Sequence, residues 1–290
     1  MIPQSFQYES PGTIADAIAL LKKHGDEAKI LSGGHSLIPM MKLRFATPEW
    51  LIDINGIPGL SYIREEKGLV KIGALSREAE IEHSELLKKR FPIFGDVTKQ
   101  IADPQVRNRG TIGGNLAHGD AANDHPAVML ALHANIVATG AEGNRSIPID
   151  EFFFGFYSTA LQPDEILTEI QIPVPPPGTG SAYHKLERKV GDYATAGVAV
   201  QLTVDTKGIC QAIGIGLTNV NPTPLRAIRS EQALLGKPLD DENIALAARF
   251  ASEDCNPSAD LRGSEEYKRA MVAVLVKRMV ARALGRARAK

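Results

Sequence analysis

Apolar positions along the first half of the chain switch repeatedly between a helical and an extended period. In residues 13–24, Ile14, Ile18 and Leu21 share one helical face. Thr13 is placed to cap that helix and Gly25 to end it. Residues 28–31 and 50–54 read as strands, and 61–64 with 69–73 as a hairpin around Glu66, Lys67 and Gly68. Ser76 opens a helix running towards Arg90. Residues 126–133 form a second apolar helix that leads into a strand at 135–139, and 166–174 alternate as a further strand.

Pro173, Pro175, Pro176 and Pro177, followed by Gly178 and Gly180, bar a helix and stiffen a crossing between two units. The division predicted is 1–176, in lobes of about 1–56 and 57–176, and 177–290. In the second unit, residues 196–205 and 209–218 read as paired strands around Thr206, Lys207 and Gly208. Helices follow at 227–235, 241–253 and 264–284. Strands followed by helices predict an α+β domain.

Composition narrows the class. The 290 residues suffice for two ordinary cores, and 43% of them are hydrophobic. A net charge of −1 argues against nucleic acid or an anionic membrane as the main partner. The basic run Arg286, Arg288 and Lys290 reads as cations favoured at a helix C-terminus. The N-terminal residues Met1 to Phe6 lack the pattern of a secretory signal, and no apolar run approaches a membrane span. Cys210 and Cys255 are too few for an iron–sulfur cluster held by four thiolates and form no zinc motif. A cytoplasmic protein with two reduced, buried thiols is expected.

Two glycine pairs carry the chemistry. One lies in Ser32-Gly33-Gly34-His35-Ser36-Leu37, the other in Gly110-Thr111-Ile112-Gly113-Gly114-Asn115. Glycines admit positive φ and let a ligand approach the main chain, so converging N–H groups can hold an anion. Two such loops suit a ligand with a charged middle, such as a dinucleotide pyrophosphate. Taken alone, each reads more simply as a tight turn. Neither the phosphate loop Gly-x-x-x-x-Gly-Lys-Ser/Thr nor the spaced Gly-x-Gly-x-x-Gly is present. Asp53, about twenty residues past the first loop, could serve a ribose as in a Rossmann fold, but reads more simply as a strand-end carboxylate.

The segments Ser32 to Lys42, Ile101 to Arg107 with Gly110 to Asn115, Lys189 to Ala196, Leu217 to Val220, and Asp260 to Gly263 with Tyr267 resemble, in order and spacing, the FAD subunits of molybdenum hydroxylases. The resemblance spans nearly the whole chain. It implies a two-lobed FAD-binding domain of the vanillyl-alcohol oxidase type, followed by a smaller α+β C-terminal domain. It further implies non-covalently bound FAD, and electron transfer from an iron–sulfur small subunit to an external acceptor. A molybdenum large subunit would carry the substrate chemistry, in a dimer of heterotrimers. Carbon monoxide is the substrate implied for the whole enzyme, with purines, aldehydes and N-heterocycles as alternatives. A free-standing flavin reductase is a further one.

The same resemblance supplies the expected cofactor contacts. Ser32, Gly33, Gly34, His35, Ser36 and Leu37 belong to the first loop, with His35 a brace or phosphate donor. Ile101, Thr111, Ile112, Gly113, Gly114 and Asn115 belong to the second. All four glycines are expected to offer N–H groups to the pyrophosphate. Asp124 would bind a ribityl or ribose hydroxyl, or else cap a helix whose first residue is Pro126. Leu167 would touch the flavin ring, Lys185 would place a cation near it, and Tyr193 would shield one face. Arg188 and Asp192 could pair. No catalytic residue and no metal ligand is expected, and the cluster His118, Asp120, Asp124 and His125 lacks a metal-binding spacing.

Overall fold

The computed structural model describes residues 2–289. Its first lobe is a parallel three-stranded sheet in which Trp50–Asp53 lies between Gln7–Glu9 and Ala28–Leu31. The helix Ile14–His24 buries Ala17, Ile18 and Leu21, while Thr13 caps it and Gly25 ends it with φ 53°. This is the register that the apolar spacing predicts.

The second lobe is an antiparallel five-stranded sheet. Its order is Ile63–Glu66, Leu69–Gly73, Ile166–Pro173, Asn135–Gly140, Gly143–Pro148. The hairpin starts later than predicted, at Ile63, and turns through Lys67 and Gly68, both at positive φ. The helix expected from Ser76 towards Arg90 is two helices, Glu78–His83 and Glu85–Arg90. Ser84 leaves helical geometry between them and caps the second, its Oγ accepting from Leu87 N–H. Three short helices escape the sequence pattern: Pro92–Val97, Pro104–Arg107 and Ile112–Ala117. Each spans too few turns to show a period. The next helix, Asp124–Ala131, opens two residues before Pro126, which therefore stands third rather than first.

Beyond the prolines, Thr179–Leu186, Ala196–Val204, Cys210–Thr218 and Leu225–Arg226 form a four-stranded antiparallel sheet. The long helix Glu265–Arg288 covers one face; Gly180 lies against the Ala283 carbonyl with no room for a side chain. The helix Asp124–Ala131 of the preceding unit packs on the other, with Gly216 against the Ala127 carbonyl. Side chains at Gly180 or Gly216 would push the layers apart. Arg282 and Arg286 of the long helix both bind Asp96, which extends the contact between the units. Ile228–Leu234 and Asp241–Asp254 complete the C-terminal unit. Cys210 and Cys255 are free and buried, and burial raises their thiols to about 11 and about 12. Among the described residues, no helix is long and apolar enough to cross a membrane. Arg286 and Arg288 stand in the last turn of the long helix, and Lys290 lies outside the described residues.

Candidate functional site: a cleft between two glycine loops

A cleft of about 640 Å³ runs between the two lobes and under the C-terminal unit. That volume is within the range of small-molecule sites. Both glycine loops line it, joined by a contact of 2.7 Å between Ser32 Oγ and Thr111 Oγ1. A second network braces them from behind. Asn55 Nδ2 donates to the Ser32 carbonyl, Arg77 Nη2 to Asn55 Oδ1, and Arg77 Nη1 to the Arg109 carbonyl. Asp53 ends its strand, accepting from the Tyr8 hydroxyl and from Asn55. It is the strand-end carboxylate of the simpler reading.

The four glycines divide by role. Among the described residues, the main-chain N–H groups of Gly33, Gly34, His35 and Ser36 donate to no protein acceptor. Gly34 has φ 73°, and a side chain at Gly33 would strike the Arg109 carbonyl at 2.6 Å. The second loop differs from expectation. Gly113 N–H donates to the Ala74 carbonyl and Gly114 N–H to Thr111 Oγ1, because this loop opens the helix Ile112–Ala117 and Thr111 caps it. Gly114 is helical, not at positive φ. It borders the cleft, and a side chain there would meet Thr111 Oγ1 at 2.8 Å and Ser32 Oγ at 3.5 Å. Gly113 is off the cleft, tight against Ala74.

Of the other expected residues, Ser32, His35, Ser36, Leu37, Ile101, Thr111, Asn115, Asp124, Lys185 and Tyr193 line the cleft. Ile112 and Leu167 are buried in the main core of the second lobe instead. Asn115 Oδ1 is buried without a hydrogen-bond partner, which leaves an acceptor for a ligand hydroxyl.

Asp124 is 6% exposed and Lys185 3%, and Lys185 Nζ donates to Asp124 Oδ2 at 2.9 Å. Tyr183, two residues before Lys185 on the same strand face, donates its hydroxyl to Asp124 Oδ1. Burial pushes the Asp124 carboxyl up, against the Lys185 ammonium and the Tyr183 hydrogen bond. Asp124 thus spends its carboxylate on two buried partners rather than on a helix cap. The adjacent His125 points elsewhere and meets Glu78 at 2.7 Å, both side chains buried. Burial alone would lower its pKa, but Glu78 and, to a lesser degree, Asp124 more than offset that and raise it. His118 lies beside Tyr157, ring centres 4.8 Å apart, and Asp120 accepts from Ala122 N–H. His118 and Asp120 thus stay together beside Tyr157, while Asp124 and His125 turn to separate partners.

Three features at or beside the cleft lie in segments that the sequence marks, but their geometry was not legible there. Ala102 stands at φ 44°, an unusual conformation for a residue with a Cβ. Its carbonyl presses on Gly191, where a side chain would come within 2.6 Å and where φ is 80°. Arg262, distant in sequence, binds Asp192 at 2.8 Å beside Tyr193 and, by that hydrogen bond, holds the Asp192 carboxyl at about 2. Arg188 adds the expected pair with Asp192 at 3.3 Å.

The family described as FAD binding domain in molybdopterin dehydrogenase matches residues 4–175, and CO dehydrogenase flavoprotein C-terminal domain matches 181–283. The chain belongs to the FAD subunits of the molybdopterin dehydrogenases. It carries FAD and is an oxidoreductase component. It is 50% identical to the carbon monoxide dehydrogenase medium chain of Hydrogenophaga pseudoflava, over 96% of both chains. With the medium chain of Afipia carboxidovorans it shares 48% over 99% of this chain and 100% of the relative. The solved carbon monoxide dehydrogenase of Hydrogenophaga pseudoflava, in a form lacking the Mo-pyranopterin moiety, superposes with a TM-score of 0.96 at 51% identity, over 99% of each chain. The fold is thus the two-domain flavoprotein architecture that the resemblance implies.

The cleft fits FAD. It joins unpaired amides at Gly33 to Ser36, an open acceptor at Asn115, a glycine whose side chain would intrude, and a half-exposed aromatic at one end. Main-chain amides of this kind can offset phosphate charge without a lysine or arginine.

Proposed function

We propose that the chain is the FAD-carrying electron-transfer subunit of a cytoplasmic carbon monoxide dehydrogenase. Its partners are an iron–sulfur small subunit and a molybdenum large subunit, in a dimer of heterotrimers. The units are 1–176 and 177–290, with the first divided near residue 56. The full-length likeness to two carbon monoxide dehydrogenase medium chains carries this reading.

In this assignment the first-loop amides of Gly33, Gly34, His35 and Ser36 hold the pyrophosphate. Ser32, Thr111 and Asn115 supply polar side chains, and Gly114 keeps the path clear. Leu37 and Ile101 give apolar contact. Lys185, fixed by Asp124, sets its amino group at the cleft floor, and Tyr193 covers the flavin ring. Ile112, Gly113 and Leu167 support the site from behind. Bound FAD supplies a carrier that takes up an electron pair and delivers it to an acceptor. The protein side chains contribute binding, orientation and a fixed electrostatic setting.

The test is anaerobic. The FAD-loaded isolated chain, mixed with carbon monoxide, purines or aldehydes, should keep its oxidised flavin band. The complete enzyme should lose that band with carbon monoxide. Bleaching of the isolated chain would overturn the subunit assignment. Bleaching of the complete enzyme by a purine or aldehyde but not by carbon monoxide would reassign the substrate.

A further inference from the structure

The segment Asp260 to Gly263 with Tyr267 stands out in the sequence, yet none of these residues lines the cleft. Their contacts lead to it in a chain. Lys268, on the long C-terminal helix, is 1% exposed and donates to the Ser258 carbonyl at 3.0 Å and to Asp260 Oδ2 at 2.9 Å. Asp260 Oδ1 accepts the Arg262 main-chain N–H at 2.7 Å. Arg262 Nη2 donates to Asp192 Oδ1 at 2.8 Å, and the same oxygen accepts the Tyr193 N–H at 2.8 Å. The Arg262 guanidinium also lies 5.6 Å from the centre of the Tyr193 ring.

Tyr193 needs such a hold. It is 44% exposed and belongs to none of the apolar core clusters, so packing alone does not fix its ring. The loop that carries it is anchored at Gly191 against Ala102 and at Asp192 by two arginines. A planar guanidinium can bind a carboxylate and lie over an aromatic face at once, which an ammonium does less well.

We propose that Arg262 is a positioning residue: through Asp192, and by its own contact with the ring, it sets Tyr193 across the mouth of the cleft against the flavin. The proposal rests on the reading that Tyr193 covers the flavin ring. Lys268 and Asp260 hold Arg262 in place, so the C-terminal unit governs how well the flavin is shielded. Arg262 itself does not line the cleft.

The experiment is iodide quenching of flavin fluorescence in the assembled, FAD-containing enzyme, with the absorption envelope recorded alongside. Tyr193→Ala should increase quenching. Arg262→Gln should increase it by about two- to fivefold, the change in ring population that a surface cation–π contact commands. Arg262→Lys should fall between Arg262→Gln and wild type. Tyr193→Ala with Arg262→Gln should match Tyr193→Ala alone. If Arg262→Gln does not fold, Asp192→Asn takes its place, since Asn keeps an acceptor for the Tyr193 N–H while weakening the arginine contact. Wild-type quenching in the Arg262 and Asp192 variants, with a sensitive Tyr193→Ala, would overturn this inference alone, whatever thermal stability they lose. An additive double variant would do the same. No change in Tyr193→Ala would overturn both the shielding role and the inference built on it.

Discussion

Ser32 Oγ and Thr111 Oγ1 meet at 2.7 Å although 79 positions separate them in sequence. The two glycine loops are therefore one wall of one cleft, and Gly114 sits directly beside the contact that joins them. Neither hydroxyl is free to move without disturbing the other loop, since Thr111 Oγ1 also caps the Gly114 N–H.

Adjacent glycines should consequently fail in different ways. Gly113→Ala places a methyl group at 2.6–2.8 Å from Ala74, including its backbone. It should cost about 1–3 kcal/mol or more of stability through overpacking, read as a lowered Tm. Gly114→Val points into the cleft and against Thr111 Oγ1. It should leave most of the fold and remove FAD, read as flavin per folded chain. The same flavin content as wild type would take Gly114 out of the site.

The pair at the cleft floor allows a thermodynamic test. Lys185→Met would leave Asp124 buried without its cation. Removing one partner of a buried pair costs about 3–5 kcal/mol. Adding Asp124→Asn removes the stranded charge and keeps an acceptor for Tyr183, so the double variant should regain much of the loss. Chemical denaturation of both variants measures this. A double variant less stable than Lys185→Met would contradict the pairing.

His125 gives a pH signature. Its pKa in the fold is raised above the ordinary 6.5: burial lowers it, but the charge and hydrogen bond of Glu78, together with the charge of Asp124, more than offset that. Protonation therefore favours the folded state. The stabilisation is fully present below about 6.5 and is lost as pH rises through the raised value. Wild-type Tm should fall across that interval relative to His125→Gln, which lacks the titrating group. A constant difference between the two proteins from acid to alkaline pH would refute this assignment.

Much of the fold was legible because long elements show their period. The helix Ile14–His24, the strands around residues 200 and 215, and the long C-terminal helix all have enough residues to display a buried face. The helices Pro104–Arg107 and Ile112–Ala117 are too short for that, and Ser84 splits a helix for local hydrogen-bonding reasons. At the site, the glycine loops and Tyr193 were readable as motifs. The engaged amides of Gly113 and Gly114 were not, because their acceptors include Ala74 from a distant segment. The partners Tyr183, Glu78 and Arg262 come from pairings that only tertiary structure brings together. Tyr183 is the exception in part, since strand alternation places it on the Lys185 face. Leu167 carried no mark that separates a ring contact from core, and it is buried in the core cluster, as is Ile112 of the second loop.

The central claim is that this cleft holds FAD without a covalent bond. Acid precipitation of the purified, assembled enzyme tests it most directly. The account predicts that yellow FAD leaves with the supernatant, about one per copy of this chain, and that the pellet is colourless. Colour retained in the pellet, or no flavin from a folded and fully assembled enzyme, would contradict it.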